Sequence, residues 1–206
     1  MRLPFDHFNL IARYYDRLIG RPEYDALSEL LEAGPGQIVL DVGGGTGRNG
    51  IGLLAVGARA IVCDRSPEML RQARAKGLPA VLADVGRLPF AAASVGRVLV
   101  VDAFHHFVDP TPEAAQASAV SELLRVLQPA GRLVVEEPDI RRAGVKLIAL
   151  MERLLLMGSR FLAPDRLMAA FEAAGAATVT VNDDGFSAQM VFTRGPAFSK
   201  RKLAPP

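Results

Sequence analysis

The chain has 206 residues, half of them hydrophobic types and 22% charged, with a formal net charge of +2. That is too apolar and too weakly charged for intrinsic disorder, and long enough for one domain with a sizeable core. The 24 Lys and Arg are scattered among 22 Asp and Glu rather than clustered, which argues against a dedicated nucleic-acid surface.

One cysteine, Cys63, excludes an internal disulfide and a cysteine-built zinc site. With only His7, His105 and His106 besides, no metal site is expected. The first twenty residues are broken by charges and lack the apolar core of a signal peptide. The most apolar stretch, Leu147 to Leu156, holds Glu152 and Arg153 and is too short for a bilayer, which takes about 20 residues. These features lead to the expectation of a cytoplasmic protein with no stable membrane insertion.

Along the chain, short β-type runs alternate with helical stretches, the pattern of an α/β protein with a mostly parallel sheet. Gln37 to Val42 is the first expected strand, followed by a glycine loop and a helix from about Asn49 to Val56. Arg59 to Asp64 is the second strand. Ser66-Pro67-Glu68 then has helix-start chemistry: a capping hydroxyl, a first-turn proline and an acid near the dipole. That helix runs to about Ala75. Pro79 to Ala83 and Arg97 to Val101 are strands three and four. A helix over Ala114 to Leu127 is stopped by Pro129 and Gly131, and Arg132 to Glu136 is strand five. Helical patterns follow over Arg142 to Phe161 and over Pro164 to Ala174, the latter ended by Gly175. Thr178 to Val181 and Ala188 to Thr193, joined by Asn182 to Gly185, form a closing hairpin. The reading is one Rossmann-like α/β domain: an N-terminal helical cap (1–33), a cofactor-binding core (34–138), a helical lid or insert (139–176) and the hairpin (177–195).

Chemistry concentrates first at Val39 to Gly47, where an apolar strand runs into four glycines among five residues and then a helix. Such a turn lets backbone approach a ligand at a strand's carboxyl end, under a helix N-terminus. Gly45 to Gly50 satisfies G-x-G-x-x-G, a weak match on its own. Asp64 closes the next strand where a carboxylate can accept from both ribose hydroxyls, which fits NAD and other adenosine cofactors alike. Asp41, just before the glycines, suits a cofactor with cationic groups better than a pyrophosphate. Asp84 and Val85 follow the third strand, and Val101 to His106 gathers polar residues at the edge where open α/β sheets bind ligands.

These pieces together resemble the class I S-adenosylmethionine-dependent methyltransferases, in particular the small-molecule branch that includes ubiquinone and menaquinone biosynthesis C-methyltransferases (methyltransferase type 11). The resemblance rests on LDVGGGTG (Leu40 to Gly47), the Asp64 strand end, Ala83 to Phe90, VDAFHHF (Val101 to Phe107) and Glu122 to Pro138. It implies a seven-stranded sheet with the final strand antiparallel, and S-adenosylmethionine as cofactor. It also implies that Asp41, Gly43, Gly45 and Gly47 form the loop around the methionine part. Asp64 would hold the ribose, with Arg65 and Met69 near the adenosine, and Asp84 and Val85 at the adenine. Asp102 would sit by the methionine end, and Tyr15 would close over the cofactor.

A sulfonium methyl is already electrophilic, so a base is needed only where the acceptor must lose a proton. His105 and His106 are the candidates by type and place, or else loop imidazoles that shape the pocket. Glu136 and Glu137 end a strand at the ligand edge, either solvated or orienting substrate. Val145 to Phe161 is apolar around most of a helix, which fits burial against the sheet, a wall for an apolar substrate, or a homodimer contact. The expected function is methyl transfer to a small, apolar or aromatic acceptor. The alternatives are an NAD-dependent oxidoreductase and a catalytically inactive cofactor-binding protein.

Overall fold

The computed structural model describes residues 7–19 and 24–195. The basic run Ser199 to Lys202, expected to be solvated, lies outside the described residues. The strands are β1 (Ile38–Val42), β2 (Arg59–Asp64), β3 (Ala80–Leu82), β4 (Val95–Val101), β5 (Leu127–Pro138), β6 (Ala176–Asp183) and β7 (Ser187–Arg194). They form one seven-stranded sheet in the order β3-β2-β1-β4-β5-β7-β6. β1 to β5 pair in parallel, while β7 runs antiparallel to both β5 and β6. This is the fold class expected from the sequence.

Side chains alternate across the sheet with period two. Val39, Leu99, Val134 and Val191 pack with residues of α3 (Tyr24–Leu31), α4 (Arg48–Ala55) and α5 (Pro67–Ala75). Leu40, Val98, Leu133 and Phe192 pack on the other face with α6 (Pro112–Val126) and α8 (Pro164–Ala173). Covering both faces is why these strands read as nearly unbroken apolar runs.

Capping fixes the helix starts that aim their N-termini at the sheet's edge. The Ser66 Oγ accepts from the Met69 N–H at 3.2 Å, as the Ser-Pro-Glu pattern requires. Thr111-Pro112-Glu113 repeats that chemistry: Thr111 Oγ1 accepts from the Ala114 N–H at 3.3 Å, so α6 starts two residues before the expected Ala114. α6 ends at Val126, and Pro129 and Gly131 lie inside β5, which starts at Leu127 rather than Arg132.

The larger difference is at α7 (Ala143–Leu154), expected to reach Phe161. Leu156 and Gly158 take positive φ and the Met157 N–H bonds back to the Glu152 carbonyl, which closes the helix early. The reversed chain carries Ser159 to Phe161 back to the end of β4. Nor is this stretch buried against the sheet: Val145 is the one buried residue of α7, while Leu147, Leu150 and Leu154 are more than half exposed. Among the described residues no helix is long and apolar enough to cross a membrane.

Candidate functional site

Strand order reverses between β1, which leads outward to β2, and β4, which leads to β5 on the other side. In open α/β sheets, ligands lie outside the strands' carboxyl ends at that reversal. A cavity of about 900 Å³ occupies the place, floored by the residues that end β1, β2, β3 and β4. Two short helices, α1 (His7–Ile11) and α2 (Tyr15–Ile19), lay Phe8 and Tyr15 along its wall. Polar ties hold them there. Ser66 Oγ donates to Asn9 Oδ1 at 2.6 Å, and Thr46 Oγ1 and Lys76 Nζ both donate to the Asp16 carboxylate at 2.5 Å.

Two carboxylates organise the glycine loop. Asp64 Oδ2 accepts from the Gly45 N–H at 3.0 Å and Oδ1 from the Ser66 N–H at 2.8 Å, so this acid joins the loop to the start of α5 at the cavity lip. Asp41 lies underneath, fully buried, and neither of its oxygens has a hydrogen-bond partner. Burial, then the charge of Asp64, pushes its pKa up to about 7, partly opposed by Arg48. The loop closes over it only because residue 44 has no side chain: a Cβ there would stand 2.5 Å from Asp41 Cγ.

Asp102 follows β4 with φ of +50°, the left-handed region rarely adopted without glycine, and such strain concentrates at functional sites. Its carboxylate faces Arg48 Nη2 at 3.5 Å. Burial and the nearby Glu137 raise it to about 6, against His105 and Arg48. The same Arg48 guanidinium lies 5.9 Å over the Tyr15 ring, and burial pushes the Tyr15 hydroxyl to about 12.

The two histidines part company. His105 is buried behind the cavity wall, stacked on Phe161 at 4.2 Å, with Nδ1 2.6 Å from Glu137 Oε2. Glu137 also accepts from the N–H groups of Ala103, Phe104 and His105, so it caps the 3-10 turn Phe104–His106 from within. Burial works to lower the His105 pKa, but the charge and hydrogen bond of Glu137 raise it overall. His106 does line the cavity, with its ring edge-on to Phe8 at 4.8 Å and Nδ1 3.1 Å from Ser159 Oγ. Burial, then the neighbouring His105, holds it well below the ordinary histidine range.

Of the residues singled out in the sequence, Tyr15, Gly43, Gly45, Asp64, Arg65, Met69, Asp84, Val85, Asp102 and His106 meet around this one cavity. Three do not. Asp41 is sealed beneath the loop, Gly47 backs onto Leu78 and Ala73, and His105 is enclosed with Glu137, none of them lining it. Glu137 is neither solvated nor set to orient substrate, because the backbone donors of the turn consume it. Phe8, Arg48 and Ser159 escaped the sequence reading, since only tertiary folding brings them here. Nor was convergence on a metal-ligating set expected, yet His105 and His106 meet Glu152 of α7.

The lining fits S-adenosylmethionine by its chemistry. Gly45 has φ of +54°, and a Cβ built there would have only Met69 Sδ within 4 Å, at 3.8 Å, so room before the loop is open to a ligand. Acids predominate around it, and the orphaned oxygens of Asp41 favour a cation nearby.

Known proteins agree. The methyltransferase domain family matches residues 40–135. A demethylmenaquinone methyltransferase of Mycobacterium sp. (strain KMS) is 34% identical over 137 residues, covering 63% of this chain and 57% of that protein. An uncharacterized methyltransferase of Mycobacterium bovis is 41% identical over 124 residues, covering 58% of this chain and 46% of the relative. The match thus spans about half the length of these relatives. A SAM-dependent methyltransferase from Thermotoga maritima superposes with a TM-score of 0.71 at 23% identity, covering 91% of this chain and 97% of that one. Over residues 40–135 the chain is similar to the methyltransferase domain family, and the strand order brings the acids of that stretch to one rim whose chemistry fits S-adenosylmethionine.

Proposed function

We propose that the protein transfers a methyl group from S-adenosylmethionine to a small, apolar or aromatic acceptor. One observation carries this: a single cavity is lined both by the strand-end acids Asp64, Asp84 and Asp102 and by the apolar Phe8, Phe107, Val108 and Met157, with Phe8 edge-on to its His106 at 4.8 Å. The demethylmenaquinone methyltransferases among the relatives support a quinone-like ring as acceptor.

When bound, the cofactor supplies an electrophilic methyl. The chain's own work is alignment and water exclusion. Asp64, pinned by the Gly45 and Ser66 amides, would accept from the ribose hydroxyls, and Asp84 with Val85 would meet the adenine. Asp41 and Asp102 set a negative field beside the loop. Phe8 and Tyr15, tied down through Asn9 and Asp16, shield the reacting centre from solvent. His106 is the acceptor-facing residue, and its ring is held by Ser159 on one nitrogen and Phe8 on one edge. The exposed leucines of α7 offer the face for a homodimer.

A screen of phenolic, quinol and amine acceptors with isotopically labelled methyl donor tests the reading. Label transfer to a ring-bearing acceptor is expected; donor binding without transfer to any acceptor favours an inactive cofactor-binding protein instead. His106→Ala should lower kcat on the order of 10²-fold through lost acceptor alignment. Cofactor affinity by calorimetry should not change. A loss confined to cofactor affinity contradicts its placement.

A further inference from the structure

Beside the cavity wall, three metal-ligating side chains converge from two separate segments. One ring nitrogen of His105, one of His106 and a carboxylate oxygen of Glu152 lie within 4.8 Å of one another. Glu152 reaches in from α7, and its Oε2 is buried without a hydrogen-bond partner. An ionised carboxylate oxygen in that state is costly unless a proton or a cation meets it.

The histidines are already braced. Glu137 holds Nδ1 of His105 and Ser159 holds Nδ1 of His106, which is how polar neighbours orient ligand histidines in metal centres while the second nitrogen takes the ion. Phe161 stacked on His105 and Phe8 against His106 fix the ring planes. Ligands at about 2.0–2.1 Å from zinc in a tetrahedron stand ~3.3 Å apart, so the set must draw in by about 1.5 Å at most. Glu152 is free to supply that movement, because Val145 is the one buried residue of its helix.

We propose that His105, His106 and Glu152 bind one divalent transition-metal ion of the zinc class. Two imidazoles and one carboxylate suit Zn²⁺ or Co²⁺, whereas Ca²⁺ and Mg²⁺ take oxygen sets. Three protein ligands leave a fourth position, as catalytic zinc sites do. Of the three ligands His106 alone lines the cavity, so the ion sits at its wall. The binding of the ion does not rest on the methyl-transfer reading.

The test uses untagged protein stripped with a chelator and titrated with Co²⁺, followed by visible absorption and calorimetry. One Co²⁺ per chain, displaced by Zn²⁺, is expected. Glu152→Gln should weaken binding at least tenfold while S-adenosylmethionine binding, which checks folding, is retained. Absence of saturable Co²⁺ absorption, or Co²⁺ affinity unchanged in Glu152→Gln, overturns the site. If the stripped protein binds S-adenosylmethionine but no ion, this inference alone fails; if it binds the ion but no S-adenosylmethionine, only the methyl-transfer reading fails.

Discussion

Glu137→Ala is expected to destabilise the protein by about 3–5 kcal/mol, the usual result of removing one partner from a buried charged pair. In this fold the loss is compounded. The carboxylate sits 5% exposed, and it accepts from three consecutive backbone N–H groups as well as from His105. Alanine leaves all of those donors buried without acceptors. The turn they belong to carries Asp102 on one side and His106 on the other, so activity should fall with stability. Urea unfolding measures the effect as a shift in midpoint at unchanged slope. A cost below about 1 kcal/mol would mean that water reaches the turn and Glu137 is dispensable.

Asp41→Asn is expected to act in the opposite direction on the ligand-free protein. The folded chain holds the Asp41 proton up to about pH 7, while the unfolded chain releases it near the ordinary value of 3.8. Between those values the folded state binds more protons, so stability falls as pH rises through that window. The three-unit difference corresponds to a ceiling of about 4 kcal/mol, present as a penalty above pH 7. Asparagine has no charge to bury and removes it. Thermal melts should therefore show the variant equal to the parent near pH 4 and more stable at pH 8. At the same time the variant should bind S-adenosylmethionine more weakly, since the negative field that favours a cationic ligand is gone. A variant no more stable at pH 8 would show that the Asp41 carboxylate is solvated or paired.

The sheet was largely legible in the chain because each of its signals is local. Apolar runs such as Ile38–Val42 and the Ser66-Pro67-Glu68 cap specify their own geometry within a few residues, whereas the turn expected over Asn182 to Gly185 falls at 184–186, because Asn182 and Asp183 still pair with Gln189 and Ala188. The polar rim was legible for a related reason, since Asp64, Asp84 and Asp102 each stand at the end of a strand that could be placed. What escaped depends on contacts made across the fold. Glu137 looks like any strand-end acid until the turn after β4 folds over it. The end of α7 was written in Gly158, yet the leucine-rich pattern around it outweighed that single residue. His105 and His106 are neighbours in sequence, and only the packing of Phe161 and Ser159 places one behind the wall and the other in it.

Calorimetric titration of the purified chain with S-adenosylmethionine, with NAD in parallel, tests the central claim most directly. The account expects saturable one-to-one binding of S-adenosylmethionine, weakened by about 1–3 kcal/mol in Asp64→Ala through lost hydrogen bonds to the ribose, and no binding of NAD. Binding of NAD alone, or an affinity for S-adenosylmethionine indifferent to Asp64, would contradict it.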